Sequence, residues 1–124
     1  MREFRVLIVE DSRIFREAIK ESLRTSVPRV IIDEAIDGRE ALEKIETFHP
    51  DFILMDIELP GENGLNLTRE IKLAHPHIII LVITNLDIQE YREAALQYGA
   101  DGFFGKSTLN PTSPRNLVTS WAKA

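Results

Sequence analysis

Glu10, Asp11 and Asp56 each stand where an apolar run ends: the acid pair after Arg5-Val6-Leu7-Ile8-Val9, and Asp56 after Phe52-Ile53-Leu54-Met55. Lys106 follows a shorter run, Phe103-Phe104. Laid side by side as parallel strands, these runs bring all four charges to one edge of a sheet. Crowded carboxylates repel, and their pKa rises unless a cation intervenes. A divalent metal with oxygen ligands is the natural relief, and magnesium suits carboxylates, water and phosphate together. Asp56 is then placed to attack phosphorus and form an aspartyl phosphate. The incoming phosphoryl group and Asp56 are both negative, so both need neutralising. In this reading Asp11 and Asp56 hold Mg2+, Glu10 acts through water, and the ion bridges the nucleophile and the phosphoryl oxygens. Lys106 adds a second positive charge from another strand end. Thr84 closes the run Ile78 to Ile83 and offers a hydroxyl to a phosphoryl oxygen. Backbone amides of the loops after the third and fourth strands complete the cradle.

Taken singly, each residue has a plainer reading. Asp11 suits a helix N-cap, Asp56 a loop, Lys106 the surface and Thr84 a turn. Five chemically matched residues at the C-terminal ends of four strands are harder to place by chance.

The elements that must position them alternate along the chain. Val6 to Val9 is a continuous apolar run, the mark of a strand buried on both faces. Ile14, Phe15, Ala18, Ile19 and Leu23 then recur at helical spacing, with Ser12 as N-cap. Val30-Ile31-Ile32, with Ala35 and Ile36 behind, predicts a second strand, and Asp37-Gly38 a turn. Ala41, Leu42, Ile45 and Phe48 line a second helix, stopped by His49-Pro50. The third strand is Asp51 to Met55. Leu67, Ile71 and Ala74 mark a third helix, closed by His75-Pro76. The fourth strand is Ile78 to Ile83. Ile88, Tyr91, Ala94, Ala95 and Tyr98 mark a fourth helix, with Gly99 as its stop. Asp101 to Phe104 is a fifth strand. Ser113-Pro114 starts a last helix carrying Leu117, Val118 and Trp121, with Trp121 packing it onto the sheet.

Such alternation with short connections predicts an α/β protein: a doubly wound, five-stranded parallel sheet with helices on both faces. Right-handed crossovers leave few topologies, and the flavodoxin-like order 2-1-3-4-5 places strands 1 and 3 together at the switch point. His49, His75 and His77 fall at the opposite edge and read as structural.

The chain of 124 residues suits one domain, residues 1–124. Its composition, 44% hydrophobic and 28% charged, is that of a globular protein. A net charge of −5 with no basic run argues against direct nucleic-acid binding. There is no cysteine, hence no disulfide or thiolate metal site. No apolar run is long enough to cross a membrane, and the start lacks a signal peptide, so a cytoplasmic location is expected.

The motifs Val9-Glu10-Asp11-Ser12, Met55-Asp56-Ile57-Glu58-Leu59-Pro60-Gly61-Glu62-Asn63-Gly64, Thr84 and Gly99-Ala100-Asp101-Gly102-Phe103-Phe104-Gly105-Lys106 together resemble the receiver (CheY-like) domain of bacterial two-component response regulators. Phe15-Arg16-Glu17 and Tyr98-Gly99-Ala100-Asp101-Gly102 are most similar to receivers that precede LuxR-type helix-turn-helix domains. The resemblance implies that Asp56 takes its phosphoryl group from a sensor histidine kinase. It implies Mg2+ on Glu10, Asp11, Asp56 and the backbone carbonyl of Glu58. It makes Thr84 and Phe103 a switch pair: the hydroxyl moves toward the phosphate and the aromatic ring turns inward. The face of helix 4, strand 5 and helix 5 then changes to control an output domain or partner, with transcription as the expected output, and a second copy of the chain is a possible partner there. A receiver assists its own phosphorylation and dephosphorylation and turns over no outside substrate.

Some positions depart from the receiver pattern. Asn85 replaces a small residue after Thr84. Ser107 replaces a common proline after Lys106, so the peptide bond there is expected to be trans, since a cis non-proline bond costs about 3 kcal/mol. Phe103 lacks a tyrosine hydroxyl, so its switching is steric. Glu58 and Leu86, two residues past Asp56 and Thr84, occupy sites that tune phosphate lifetime in receivers.

Three other functions compete. A haloacid-dehalogenase-like phosphohydrolase needs an aspartate two residues after its nucleophile, where this chain has Glu58. A flavodoxin needs a hydroxyl- and glycine-rich loop after strand 1, where this chain has Asp11-Ser12-Arg13. A phosphorylation-independent interaction module has no need of the intact acids, hydroxyl and lysine.

Overall fold

The computed structural model describes residues 3–106. Strands β1 (Phe4–Val9), β2 (Val30–Ala35), β3 (Phe52–Asp56), β4 (Ile79–Thr84) and β5 (Gly102–Gly105) alternate with helices α1 (Arg13–Ser26), α2 (Gly38–Phe48), α3 (Gly64–Ala74) and α4 (Gln89–Gln97). The strands form one sheet of order β2-β1-β3-β4-β5, and every pairing is parallel. The expected flavodoxin-like topology is therefore present. The predicted last helix with Leu117, Val118 and Trp121, the loop from Ser107, and the peptide bond after Lys106 lie outside the described residues.

The continuous apolar runs divide by face once they are extended, because successive side chains point to opposite sides of a sheet. Leu7, Val9, Ile53, Met55, Ile80, Val82 and Phe103 pack with Ala41, Ile45 and Phe48 of α2, Leu67 and Ile71 of α3, and Ala95 of α4. Val6, Ile8, Phe52, Leu54, Leu81 and Ile83 pack with Ile19 and Leu23 of α1. All five residues of β3 are buried, as befits the middle strand.

The helix ends follow local chemistry. Ser12 caps α1 by accepting the Phe15 amide at 3.3 Å. Asp37, expected in a turn, instead caps α2 by accepting the Glu40 amide at 2.9 Å, and Gly38 is the first helical residue. A carboxylate one residue before a helix satisfies an orphan amide, and that wins over the turn. A Cβ at Gly38 would lie 2.7 Å from Glu62 Cγ, so a larger residue there requires that exposed side chain to swing aside. Gly99 has φ +102 and ends α4 as expected. Strand ends shift by one residue or so: β3 runs through Asp56, β4 through Thr84 and β5 through Gly105. Ile36 falls beyond β2 and is exposed.

Gly64 governs the loop after β3. Between Asp56 and α3 the chain folds into a two-residue antiparallel ladder, Glu58–Leu59 against Glu62–Asn63. The Gly64 amide returns to the Ile57 carbonyl at 2.8 Å. A Cβ at Gly64 would overlap the Asp56 carbonyl oxygen and lie 2.7 Å from Ile57 Cα. Both neighbours are backbone and cannot swing aside. We expect Gly64→Ala to cost about 2–3 kcal/mol, the upper part of the overpacking range. Gly61 has φ +67 with nothing near its would-be Cβ, and Asn tolerates that conformation. Gly61→Asn should therefore lie within about 0.5 kcal/mol of the parent, and urea denaturation of both variants checks the contrast.

Candidate functional site

Register brings the predicted residues together. Val9 pairs with Met55, so Glu10 and Asp56 leave the sheet side by side, and Asp56 pairs with Ile83, one residue before Thr84. Thr84 pairs with Gly105, and the Lys106 amide donates to the Thr84 carbonyl at 2.7 Å. Glu10, Asp56 and Thr84 are buried, Lys106 is partly buried, and Asp11 is exposed at the rim. One oxygen from each of Glu10, Asp11 and Asp56 lies within 4.8 Å of the others.

Each group is held in place. Glu10 Oε2 accepts the Ser12 amide at 2.8 Å, and the Glu10 carbonyl accepts from Arg16 at 2.8 Å. Asp56 Oδ1 accepts the Glu58 amide at 3.2 Å. The Thr84 hydroxyl oxygen accepts the Leu86 amide at 3.0 Å, which leaves its own proton for an acceptor. Lys106 Nζ lies 2.5 Å from Glu10 Oε1 and 3.5 Å from Asp56 Oδ2. The contact with Glu10 is a buried salt bridge. Burial, and then the negative charge of Glu10, push the Asp56 carboxyl up to about 7, against the pull of Lys106 and of the Glu58 amide.

The arrangement suits a hard cation. Its donors are carboxylate oxygens, two of the acids are buried, and one lysine stands against three acids.

Residues that sequence reasoning did not assign also reach the site. Arg16 joins the Glu10 carbonyl to Glu34 of β2. The Phe15 ring centroid lies 4.6 Å from Lys106 Nζ. The Arg92 guanidinium lies 4.9 Å from the Phe103 ring centroid and bonds Asp87 at 3.0 Å. Phe103 itself is buried. Helical spacing flagged Phe15 only as a core residue, and no local signal marks Arg92, since α4 meets β5 through the fold. Asn85 is exposed beside Thr84. His49 and His75 cap α2 and α3 at the opposite edge, as expected.

A doubly wound parallel sheet with acids and a lysine at its switch point defines a class of phosphoryl-accepting domain. Residues 6–119 match the family model of the response regulator receiver domain. The chain is 33% identical over 104 residues to the transcriptional regulatory protein DegU of Brevibacillus brevis, covering 84% of this chain and 44% of that protein. It is 35% identical over 107 residues to the chemotaxis protein CheY of Halobacterium salinarum, covering 86% and 88% of the two chains. The NarL signal receiver domain from Mycobacterium tuberculosis superposes with a TM-score of 0.88 at 30% identity, over 100% of this chain and 99% of that one. The chain therefore belongs to the response regulator receiver domains, the phosphorylation-activated switches of two-component signalling. It spans less than half the length of DegU.

The raised Asp56 pKa carries a stability consequence. Between the ordinary value of 3.8 and about 7, the folded state keeps a proton that the unfolded state has released. Stability of the metal-free protein therefore falls as pH rises through that window and stays low above it. Asp56→Asn removes the charge. In EDTA it should match the parent near pH 4 and melt a few degrees higher at pH 8, the shift that about 1 kcal/mol gives a domain of this size. Melting curves across that pH range check both the sign and the window.

Proposed function

We propose that Asp56 is the phosphoacceptor and that residues 1–124 form one receiver domain. The observation that carries this reading is a buried carboxylate, Asp56, lying 3.5 Å from Lys106 among two further acids. An Asp56 oxygen attacks the phosphorus of a phosphohistidine on a sensor kinase. The P–N bond breaks, its electron pair stays on the imidazole nitrogen, which then takes a proton, and an acyl phosphate remains on Asp56.

Mg2+ is the expected ion, held by Glu10, Asp11, Asp56 and the Glu58 backbone carbonyl, and when bound it offsets charge on the nucleophile and the phosphoryl oxygens. Lys106 neutralises the charge that gathers on the phosphoryl group. Thr84 donates its hydroxyl to a phosphoryl oxygen. Thr84 and Phe103 form the switch pair, and the face built on α4 and β5 controls an output domain or partner protein. Transcription is the output that fits the likeness to DegU. Dimerisation of this face on phosphorylation belongs to the same reading. The domain turns over no outside substrate and does not itself bind nucleic acid. Among the described residues no helix is long and apolar enough to cross a membrane, and the cytoplasm, where the phosphodonor kinase domain works, is the proposed location.

Acetyl phosphate with Mg2+ should add one phosphoryl group to the chain, seen by intact-mass spectrometry. Asp56→Asn should show no gain, and EDTA should suppress labelling of the parent. A phosphoryl group that still appears on the Asn variant places the acceptor elsewhere.

A further inference from the structure

We propose that Phe15 is a positioning residue for Lys106, its ring holding the ammonium at the acidic pocket by a cation–π contact. The proposal rests on the role given to Lys106 above. The Lys106 backbone is fixed where its amide donates to the Thr84 carbonyl at 2.7 Å. Its charge, however, sits at the end of a flexible four-carbon stem, which carries rotamer freedom that must be removed to aim it. Among the described residues, three groups meet the ammonium: Glu10 Oε1 at 2.5 Å, Asp56 Oδ2 at 3.5 Å and the Phe15 ring centroid at 4.6 Å. The two carboxylates are the groups expected to bind the metal and the phosphoryl group, and their pull on the lysine falls as their charge is taken up. The face of an aromatic ring is spent on neither. Its attraction for a cation comes from a fixed quadrupole and strengthens where water is scarce, and the Lys106 side chain is only 12% exposed.

The ring is itself tied to the pocket. The Phe15 amide donates to Ser12 Oγ at 3.3 Å, and the Ser12 amide donates to Glu10 Oε2 at 2.8 Å. Phe15 also packs against the α1-side core. Cap, acid, ring and lysine thus form one connected unit, and the first turn of α1 has a purpose beyond burying apolar surface.

Two arms test this on the full chain. In the metal-free protein, NMR of the Lys106 ε-CH2 group should show an upfield ring-current shift that survives Phe15→Tyr and vanishes in Phe15→Leu and Phe15→Met. With acetyl phosphate and saturating Mg2+, Phe15→Leu should label about fivefold more slowly, the loss expected of one partly desolvated cation–π contact, while Phe15→Tyr stays within about twofold. In a Lys106→Met background Phe15→Leu should bring no further loss. Absence of the ring-current shift, wild-type labelling by Phe15→Leu, or the same slowing with and without Lys106 overturns the proposal. If the parent chain takes no phosphoryl group at Asp56, the functional reading has failed, and the NMR arm alone decides whether the ring holds the lysine.

Discussion

Like charges in a place with little water are the constraint on which this structure turns. Glu10 and Asp56 are 0% and 2% exposed, and they leave adjacent strands at the same end. Nothing in the apolar sheet below them can absorb their charge. A parallel sheet forces this meeting, because every strand delivers its C-terminal residue to the same edge. The fold thus creates an electrostatic problem at one point, and the receiver chemistry is one way of using it.

The rest of the chain treats its carboxylates differently. On the edge strand β2, Glu34 is bonded by Arg16 and Lys20 at 2.8 and 2.9 Å, and Asp33 by Lys44 at 2.8 Å. These pairs also place charge along an edge that could otherwise recruit another strand. At the far end of the sheet Asp101 accepts from Lys72 at 3.1 Å and from the Ile80 amide at 2.9 Å. Each of these acids has a cation of its own and some access to water. Glu10 and Asp56 share Lys106, with Asp11 close beside them. The imbalance is local to the pocket, which is why burial and the charge of Glu10 raise Asp56 there.

Most of the sheet was legible because its strands are apolar runs, and the pocket was legible because acids terminate those runs. What the sequence concealed depends on how elements meet. Ile14 and Ala18 keep helical spacing with Ile19 and Leu23, yet both are exposed, Ile14 at 85%. Periodicity gives a face but not the angle at which that face crosses the sheet. The first turn of α1 stands at the sheet's edge, where little strand remains to pack against. Asp37 was ambiguous because a carboxylate before glycine suits a turn as well as a cap. Phe15 satisfied the core pattern and so concealed its contact with Lys106.

The contacts around Phe103 extend the pocket toward α4. Thr84 receives the Leu86 amide, and the loop continues to Asp87. Asp87 holds Arg92 at 3.0 Å and packs so closely on Gly105 that a Cβ there would lie 2.6 Å from Asp87 Cβ. Arg92 covers the Phe103 ring and reaches the Phe103 carbonyl at 3.5 Å. A phenylalanine has no hydroxyl with which to anchor either an inward or an outward position. Its place is therefore set by packing and by the cation above it. Asp87 follows Thr84 by three residues, so the loop that begins at the Thr84 hydroxyl also fixes Arg92. The acid pocket and the groups that face α4 are thus joined by one short loop and the side chains it carries.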